Sequence, residues 1–164
     1  MTREISMAGG LVALVDDKDE ELVRQHKWRG KRDKHTIYAR AHIRGPRPRK
    51  TVLMHNLIMP TPEGMQMDHA NGNGLDNRRE NLRLATHSQN SANADKQRTY
   101  NGRVPSSSFK GVYWHRWNKR WGAKISPKGK QIYLGYFRVE EDAAQTYNDA
   151  ALVHFGKFAR LNVL

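Results

Sequence analysis

The 164-residue sequence contains no cysteine, comparatively few acidic residues and no long apolar run. Without cysteine the chain can form no disulfide, no cysteine-ligated zinc site and no thiol nucleophile. No stretch approaches the roughly 18 apolar residues of a membrane span, and the N-terminal segment lacks the basic start and apolar core of a signal peptide. These absences predict a soluble, intracellular protein that makes no contact with a membrane.

Positive charge is in excess, because 29 Lys and Arg face 16 Asp and Glu and give a formal charge of +13. The charge is also segregated. Residues 24–50 hold eleven basic residues and one acid, Asp33, whereas residues 106–137 hold seven basic residues and no acid. A disordered basic tail would lack the four Trp, six Tyr and four Phe of this chain. Basic blocks favour a polyanionic partner, most simply nucleic acid, over a uniformly solubilising surface.

A linker-like composition divides the chain. Residues 95–106 have few apolar side chains and run into Gly, Pro and Ser, which are typical of connecting segments. We therefore predict a first domain over residues 1–94, a linker over 95–106 and a second domain over 107–164. Both domains are basic, so both are expected to touch the same ligand.

Several short elements are predicted in the first domain. Residues 11–15 and 36–42 alternate like strands, and residues 45–49 form a Pro- and Gly-containing turn. The apolar run over 51–58 suits a strand or a helix, and its periodicity does not decide between them.

The second domain is predicted as a three-stranded antiparallel meander followed by one helix. Its strands cover residues 111–117, 121–126 and 131–137, separated by short turns. Alanines and Tyr147 then recur at helical spacing after three acids, which suit a helix N-terminus. One helix covers one face of such a sheet, so the other face is free to meet DNA.

The residues from Met67 to Asn90 carry the most chemistry. Asp68 and His69 close an apolar stretch, a loop rich in Gly, Asn and Asp follows, residues 82–85 alternate like a strand, and a helix is expected to begin after Thr86. Imidazole can take a proton from water near neutral pH, and carboxylate and amide oxygens suit Mg²⁺ or Mn²⁺. Taken singly, each residue is more simply explained by a turn, a cap or solvent exposure.

The joint pattern over residues 51–93 resembles the HNH nucleases of the ββα-metal fold, in particular the phage and intron-encoded homing endonucleases, including the nicking type. The matching blocks are residues 53–58, 67–69, 76–83 and 88–90. Residues 12–17 with Lys27 and Trp28 resemble the leader that often precedes this motif. The resemblance implies an α+β fold, with a β-rich leader and a ββα-metal unit in the first domain.

The resemblance also implies roles for individual residues. His69 would be the general base, and Asn81 would constrain the loop and orient the imidazole. Asp68 and Asn90 would bind one Mg²⁺ or Mn²⁺ ion, with His87 and Asn93 as reserve ligands. His55 would contact phosphate or pack under the site. Further DNA contacts are expected from Arg78, Arg79 and Arg83. Zinc-stapled family members use cysteine pairs, so no zinc is expected here, and no small-molecule cofactor is implied.

Residues 106–164 resemble the APETALA-type DNA-binding domain, because seven blocks fall in order between Ser107 and Asn162. The resemblance implies a sheet that lies in the major groove of duplex DNA. The residues at or near its contacting positions are Lys110, Tyr113, His115, Arg116, Trp117, Lys119, Arg120, Lys124, Gln131 and Tyr133. Several arginines of the plant pattern are Tyr, His or Gln here, which predicts an altered base preference because bidentate guanine contacts need the Arg fork.

Together these resemblances predict a site-specific DNA endonuclease of homing type in the cytoplasm of a bacterial or phage-infected cell. One active site would nick one strand and leave 5′-phosphate and 3′-hydroxyl ends. The sequence shows no clear dimer seam, so a monomer is expected. Two alternatives stay open: a non-catalytic DNA-binding transcriptional regulator, and a protein that binds or cleaves RNA. A sheet that reads a major groove favours duplex DNA over RNA.

Overall fold

The computed structural model describes residues 1–33, 36–43, 50–96, 99 and 102–164. The predicted turn over 45–49, and parts of the 24–50 basic segment and of the 95–106 linker, lie outside the described residues. The protein is α+β, as predicted, and forms two compact units, Met1–His87 and Ser88–Leu164. Over the described ranges, no helix has the length and apolar character needed to cross a bilayer.

Within its described residues, the first unit contains three small antiparallel sheets and two short α-helices. Its elements in chain order are β1 (Thr2–Ser6), β2 (Val12–Asp16), α1 (Glu20–Arg24), β3 (Arg29–Arg32), β4 (Ile37–His42), β5 (Thr51–Leu53), α2 (Met54–Ile58), β6 (Gln66–His69) and β7 (Leu82–Ala85). The sheets pair β1 with β2, place β4 between β3 and β5, and pair β6 with β7. The ambiguous run over 51–58 therefore contains both a strand and a helix.

One hydrophobic core joins these sheets. Val15 from β2, Val23 from α1 and Met54 from α2 are fully buried. Met67 of β6 and Leu82 of β7 belong to the same cluster. In this hairpin Met67 and Leu82 lie on the same face as His69, whereas Asp68 and Arg83 lie on the opposite face, because side chains alternate along a strand.

The second unit contains the predicted meander and helix. Helix α3 (His87–Asn93) begins at the last residue of the first unit and otherwise belongs to the second. It is followed by β8 (Val112–His115), β9 (Arg120–Ile125), β10 (Ile132–Phe137) and α4 (Glu140–Phe155). All three strands are antiparallel, with β9 in the centre.

Helix α4 covers one face of this sheet through small side chains. Ala143, Ala144 and Ala151 are completely buried and pack with Tyr147 against β8 to β10. Gly111 permits this close approach, because a Cβ there would lie 2.0 Å from the Tyr147 ring at a φ of +77°. Trp121, Ile125, Leu134 and Phe137 pack into these clusters from the strands.

Candidate functional site

The β6–β7 hairpin of the first unit brings an acid and an imidazole together at the end of one strand. Asp68 and His69 are the last two residues of β6, and each is 4% exposed. The ladder pairs Asp68 with Arg83 and His69 with Leu82. Burial of both polar side chains at a strand end is costly unless neighbouring groups compensate it, so the site depends on the loop that surrounds it.

The imidazole of His69 lies among polar and aromatic side chains. Its ring centroid is 5.0 Å from that of His55 and 5.6 Å from that of Tyr38. Its Nε2 lies 3.5 Å from the amide oxygen of Asn77, which is completely buried. Burial lowers the pKa of His69 below its usual value, although Asn77 and the nearby carboxylates oppose this shift. The ring is therefore neutral at neutral pH.

Asn77 also determines which ring nitrogen carries the proton. Its amide nitrogen donates to the carbonyl oxygen of Leu75 at 3.1 Å, and this bond turns the amide oxygen towards His69. An amide oxygen only accepts, so Nε2 of His69 is the donor and Nδ1 keeps its lone pair. With this partner, the ring nitrogen without a proton is Nδ1.

Asn81 braces the loop between the two strands. Its side-chain oxygen accepts from the backbone N–H of Asn71 at 3.0 Å, and its side-chain nitrogen donates to the carbonyl oxygen of Asp76 at 2.8 Å. These two bonds constrain both ends of the loop, and the role implied for Asn81 stays a prediction. The amide oxygen near the His69 ring belongs to Asn77, which the sequence did not single out among the loop's asparagines.

The leader segment holds the same loop from the other side. The N–H of Leu14 donates to the carbonyl oxygen of Leu75 at 2.8 Å, and the N–H of Asn77 donates to that of Leu14 at 2.7 Å. The N–H of Gly74 donates to the hydroxyl of Thr36 at 2.9 Å. Strand β2 and the start of β4 therefore position the backbone that presents Asn77 to His69.

His55 packs beneath the site. It is 5% exposed, and its ring lies edge-on to those of His69 and Tyr38. Its Nδ1 is buried and has no hydrogen-bond partner among the residues that the structure describes. Burial, and secondly the neighbouring His69, lower the pKa of His55 to about 3. A neutral ring in this position favours packing over the alternative of a phosphate contact.

The three arginines predicted to contact DNA are engaged with carboxylates of the same unit. Arg78 binds Asp76 through Nε at 2.8 Å and Nη2 at 2.7 Å, Arg79 binds Asp19 through two bonds of 2.8 Å, and Arg83 Nε donates to Asp68 at 2.7 Å. Hydrogen bonds from Arg78 lower the pKa of Asp76. A phosphate contact by these arginines would have to use guanidinium N–H groups that do not bond to these carboxylates.

Of the predicted ligands on helix α3, Asn90 and Asn93 lie in the second unit, whereas His87 is the last residue of the first unit. Asn90 is half-buried and Asn93 is 6% exposed. His87, the first residue of α3, has its Nδ1 3.4 Å from the Gln66 side-chain nitrogen in the first unit. Among the described residues, no group of three or more His, Asp or Glu side chains is arranged to hold a metal ion. The pairing of Asp68 with Asn90 stays a prediction.

The sheet of the second unit has an open face opposite α4. We define it by Tyr113, His115, Lys124, Tyr133 and Tyr136, which alternate along the strands with the core residues. The Lys124 ammonium lies 5.2 Å from the Tyr113 ring centroid, and the ring centroids of His115 and Tyr136 are 4.9 Å apart. Burial, followed by a hydrogen bond with Tyr136, raises the pKa of Tyr113 to about 12.

Other predicted contacts surround this face. Trp117 is 92% exposed in the β8–β9 turn, together with Arg116 and Lys119. Gln131 donates to the Tyr133 hydroxyl at 2.7 Å. Trp114 packs edge-on against Trp121, with ring centroids 5.1 Å apart.

Lys110, which is predicted to contact DNA, does not lie on the open face as defined above. Its ammonium is 2.6 Å from the carbonyl oxygen of Ala92 and 2.5 Å from that of Ala94, at the end of α3. Desolvation lowers its pKa to about 8. The sequence could not reveal this position, because a lysine before a strand is more often exposed.

One segment of the chain matches a known protein family. Residues 60–92 match the family model described as HNH endonuclease. This segment contains β6, the loop that Asn81 constrains, β7 and the start of α3, so the match covers His69 and Asn77 but not Tyr38 or His55.

The chain belongs to the same family as Protein 3.8 of Escherichia phage T7. The two are 32% identical over 101 residues, which cover 62% of this chain and 78% of the phage protein.

Part of the chain is similar to plant transcription factors of Arabidopsis thaliana. It is 42% identical over 67 residues to the ethylene-responsive transcription factor WRI1, covering 35% of this chain and 16% of that factor. It is 41% identical over 64 residues to the AP2/ERF and B3 domain-containing transcription repressor TEM1, covering 39% of this chain and 18% of that repressor. The chain thus spans less than a fifth of these two plant proteins.

Proposed function

We propose that the chain is a metal-dependent, site-specific DNA endonuclease of homing type that nicks one strand of duplex DNA. The observation that carries this proposal is the neutral His69 ring, whose Nε2 is committed to buried Asn77, in a segment that matches the HNH endonuclease model. The likeness to a plant transcription factor and a plant transcription repressor supports duplex DNA as the partner.

In this proposal His69 is the general base. Nδ1 takes a proton from water while the water oxygen forms a bond to phosphorus. The bond between phosphorus and the 3′ oxygen breaks, the 3′ oxygen leaves with the electron pair and takes up a proton, and the products are 5′-phosphate and 3′-hydroxyl ends. A neutral imidazole is required for the first step, and burial of the ring supplies it.

Asp68 and Asn90 are the proposed ligands of one divalent ion, with His87 and Asn93 in reserve. One carboxylate and one amide oxygen are hard donors that leave most positions to water and phosphate oxygens, which suits Mg²⁺ or Mn²⁺. Such an ion supplies stabilisation of the charge that develops on the leaving oxygen. Arg83 meanwhile donates to Asp68 and holds this carboxylate in one orientation.

The open face of the second unit is proposed to enter the major groove. Tyr133 is 66% exposed and presents an aromatic edge and a hydroxyl, while Lys124 supplies a cation next to it in the ladder. Arg116, Lys119 and Arg120 at the β8–β9 turn would contact phosphates, which sets position but not sequence. The tyrosines in place of arginines favour contacts other than bidentate guanine recognition.

A plasmid-nicking assay tests the proposal. The wild-type chain should convert supercoiled to nicked plasmid with Mg²⁺ or Mn²⁺ and should not do so with EDTA. His69→Ala should abolish nicking, whereas His154→Ala, which changes an exposed histidine of α4, should not. The similarity to named transcription factors favours one rival, a non-catalytic DNA-binding regulator. Tight duplex binding without cleavage in any divalent ion would support that rival.

A further inference from the structure

The ammonium of Lys110 closes the C-terminal end of helix α3. The last carbonyl groups of a helix have no intrahelical donor and need another partner. Lys110 Nζ supplies it at 3.4 Å, 2.6 Å and 2.5 Å to the carbonyl oxygens of Ser91, Ala92 and Ala94. An ammonium has three N–H donors, and three acceptors face it here, so it has no donor left for a phosphate.

The backbone of Lys110 is held in place by the side chain of Asn162. Its N–H donates to the Asn162 side-chain oxygen at 2.6 Å, and its carbonyl oxygen accepts from the Asn162 side-chain nitrogen at 3.1 Å. Asn162 is in turn fixed by Asn148 of α4, through two bonds of 2.7 Å and 3.0 Å. A continuous set of hydrogen bonds therefore runs from α4 through Asn162 and Lys110 to α3.

Further bonds attach α3 and the residues after it within the second unit. The N–H of Arg160 donates to the carbonyl oxygen of Ala92 at 3.3 Å, and its Nε binds the Asp95 carboxylate at 2.6 Å. The N–H of Lys128 donates to the hydroxyl of Ser88 at 3.2 Å. Both ends of α3 are thus fixed by the unit that carries the open face.

We propose that Lys110 is a positioning residue, which fixes helix α3 and thereby the side chain of Asn90, and that it is not a DNA contact. The cleavage part of this inference rests on the proposed function, because Asn90 is there a metal ligand. The positional part does not, since it concerns the order of α3 itself. The second unit would then hold helix α3 in place as well as bind DNA.

The test compares four variants of the full chain. Lys110→Met removes the donors and keeps the alkyl stem, Lys110→Arg keeps a cation, and Lys124→Met removes a cation of the open face instead. Hydrogen exchange of residues 88–96 should accelerate in Lys110→Met, partly recover in Lys110→Arg and stay at the wild-type rate in Lys124→Met. Asn162→Ala removes the two hydrogen bonds to the Lys110 backbone without changing the ammonium, and it should also accelerate exchange.

Nicking and binding assays complete the test. Lys110→Met should need about 10- to 100-fold more Mn²⁺ for half-maximal nicking, while its Kd for duplex DNA stays within about twofold of wild type. Lys124→Met should instead weaken DNA binding without changing the Mn²⁺ requirement. Unchanged exchange in Lys110→Met, or a loss of DNA affinity with an unchanged Mn²⁺ requirement, would overturn the inference. If the wild-type chain does not nick, the proposed function fails, and the exchange data still decide the positional part.

Discussion

Nε2 of His69 lies 3.5 Å from the side-chain oxygen of Asn77, and Asn77 is completely buried. The two residues are eight positions apart, and a hydrogen bond from Asn77 to the carbonyl oxygen of Leu75 fixes the amide. This relationship gives the imidazole one tautomer and one orientation before any substrate binds. Preorganisation of this kind lowers the barrier of a proton transfer.

Asn77→Ala should lower the nicking rate about 10- to 100-fold with little change in DNA affinity, because the base loses its orientation. Single-turnover nicking and duplex binding measure the two effects separately. Asn73→Ala is the matched control, since Asn73 lies in the same loop but is exposed and bonds to the N–H of Leu75. Equal rates for Asn77→Ala and Asn73→Ala would remove Asn77 from the mechanism.

Arg79→Ala should destabilise the first unit by about 2–4 kcal/mol, because it leaves the Asp19 carboxylate, 5% exposed, without its bidentate partner. Denaturant unfolding measures this. Arg24→Ala is the control, since Arg24 is 60% exposed and pairs with Glu20 one helical turn away, and it should cost less than about 0.5 kcal/mol. If the two variants unfold alike while Arg79→Ala alone loses DNA affinity, Arg79 is a DNA contact after all.

Acid should destabilise the first unit through His55. Its pKa of about 3 in the folded chain lies below the usual 6.5, so between these values the unfolded chain binds a proton that the folded chain does not. The contribution of His55 is therefore fully present above about pH 6.5 and is lost as the pH falls towards 3, by up to about 1.4 kcal/mol per pH unit.

His55→Gln should flatten this dependence, and unfolding free energies between pH 7 and pH 4 measure the slope. His154→Gln, at an exposed position of α4, is the control. An equal acid slope in wild type and His55→Gln would show that the buried ring does not titrate in this way.

Tyr133→Ala should weaken duplex binding roughly tenfold without changing the thermal stability, because Tyr133 is 66% exposed on the open face. Since tyrosine is uncharged, the slope of log Kd against log salt should not change, whereas Arg120→Gln should reduce that slope by about one. Val153→Ala is the control, as Val153 is 83% exposed on α4. Weaker binding by Val153→Ala than by Tyr133→Ala would place the interface on the helix side.

Elements with a clear periodic signal could be predicted from the sequence. The strand at 82–85, the meander and α4 all alternate or repeat as their packing requires. Strand β3 has four exposed residues and no apolar pattern, and α1 has only five residues, so neither gave a signal. The run over 51–58 was ambiguous because its first three residues extend a sheet and the next five turn into α2.

The site was only partly predictable for a different reason. The position of Asp68 and His69 at a strand end follows from the local sequence, but the partner of the imidazole does not. Residues 70–81 contain several asparagines, and only the backbone bonds to Leu14 select Asn77. Similarly, the pair of Arg79 with Asp19 joins residues 60 positions apart. Such contacts depend on the tertiary fold, which composition and spacing do not specify.

The most direct test of the proposed chemistry is the rate of plasmid nicking by the wild-type chain and by His69→Ala at saturating Mg²⁺ or Mn²⁺, with DNA affinity measured in parallel. We expect the wild type to nick, EDTA to stop it, and His69→Ala to lose at least about 100-fold in rate while it still binds the plasmid. Equal nicking by wild type and His69→Ala would contradict the assignment of His69 as the base.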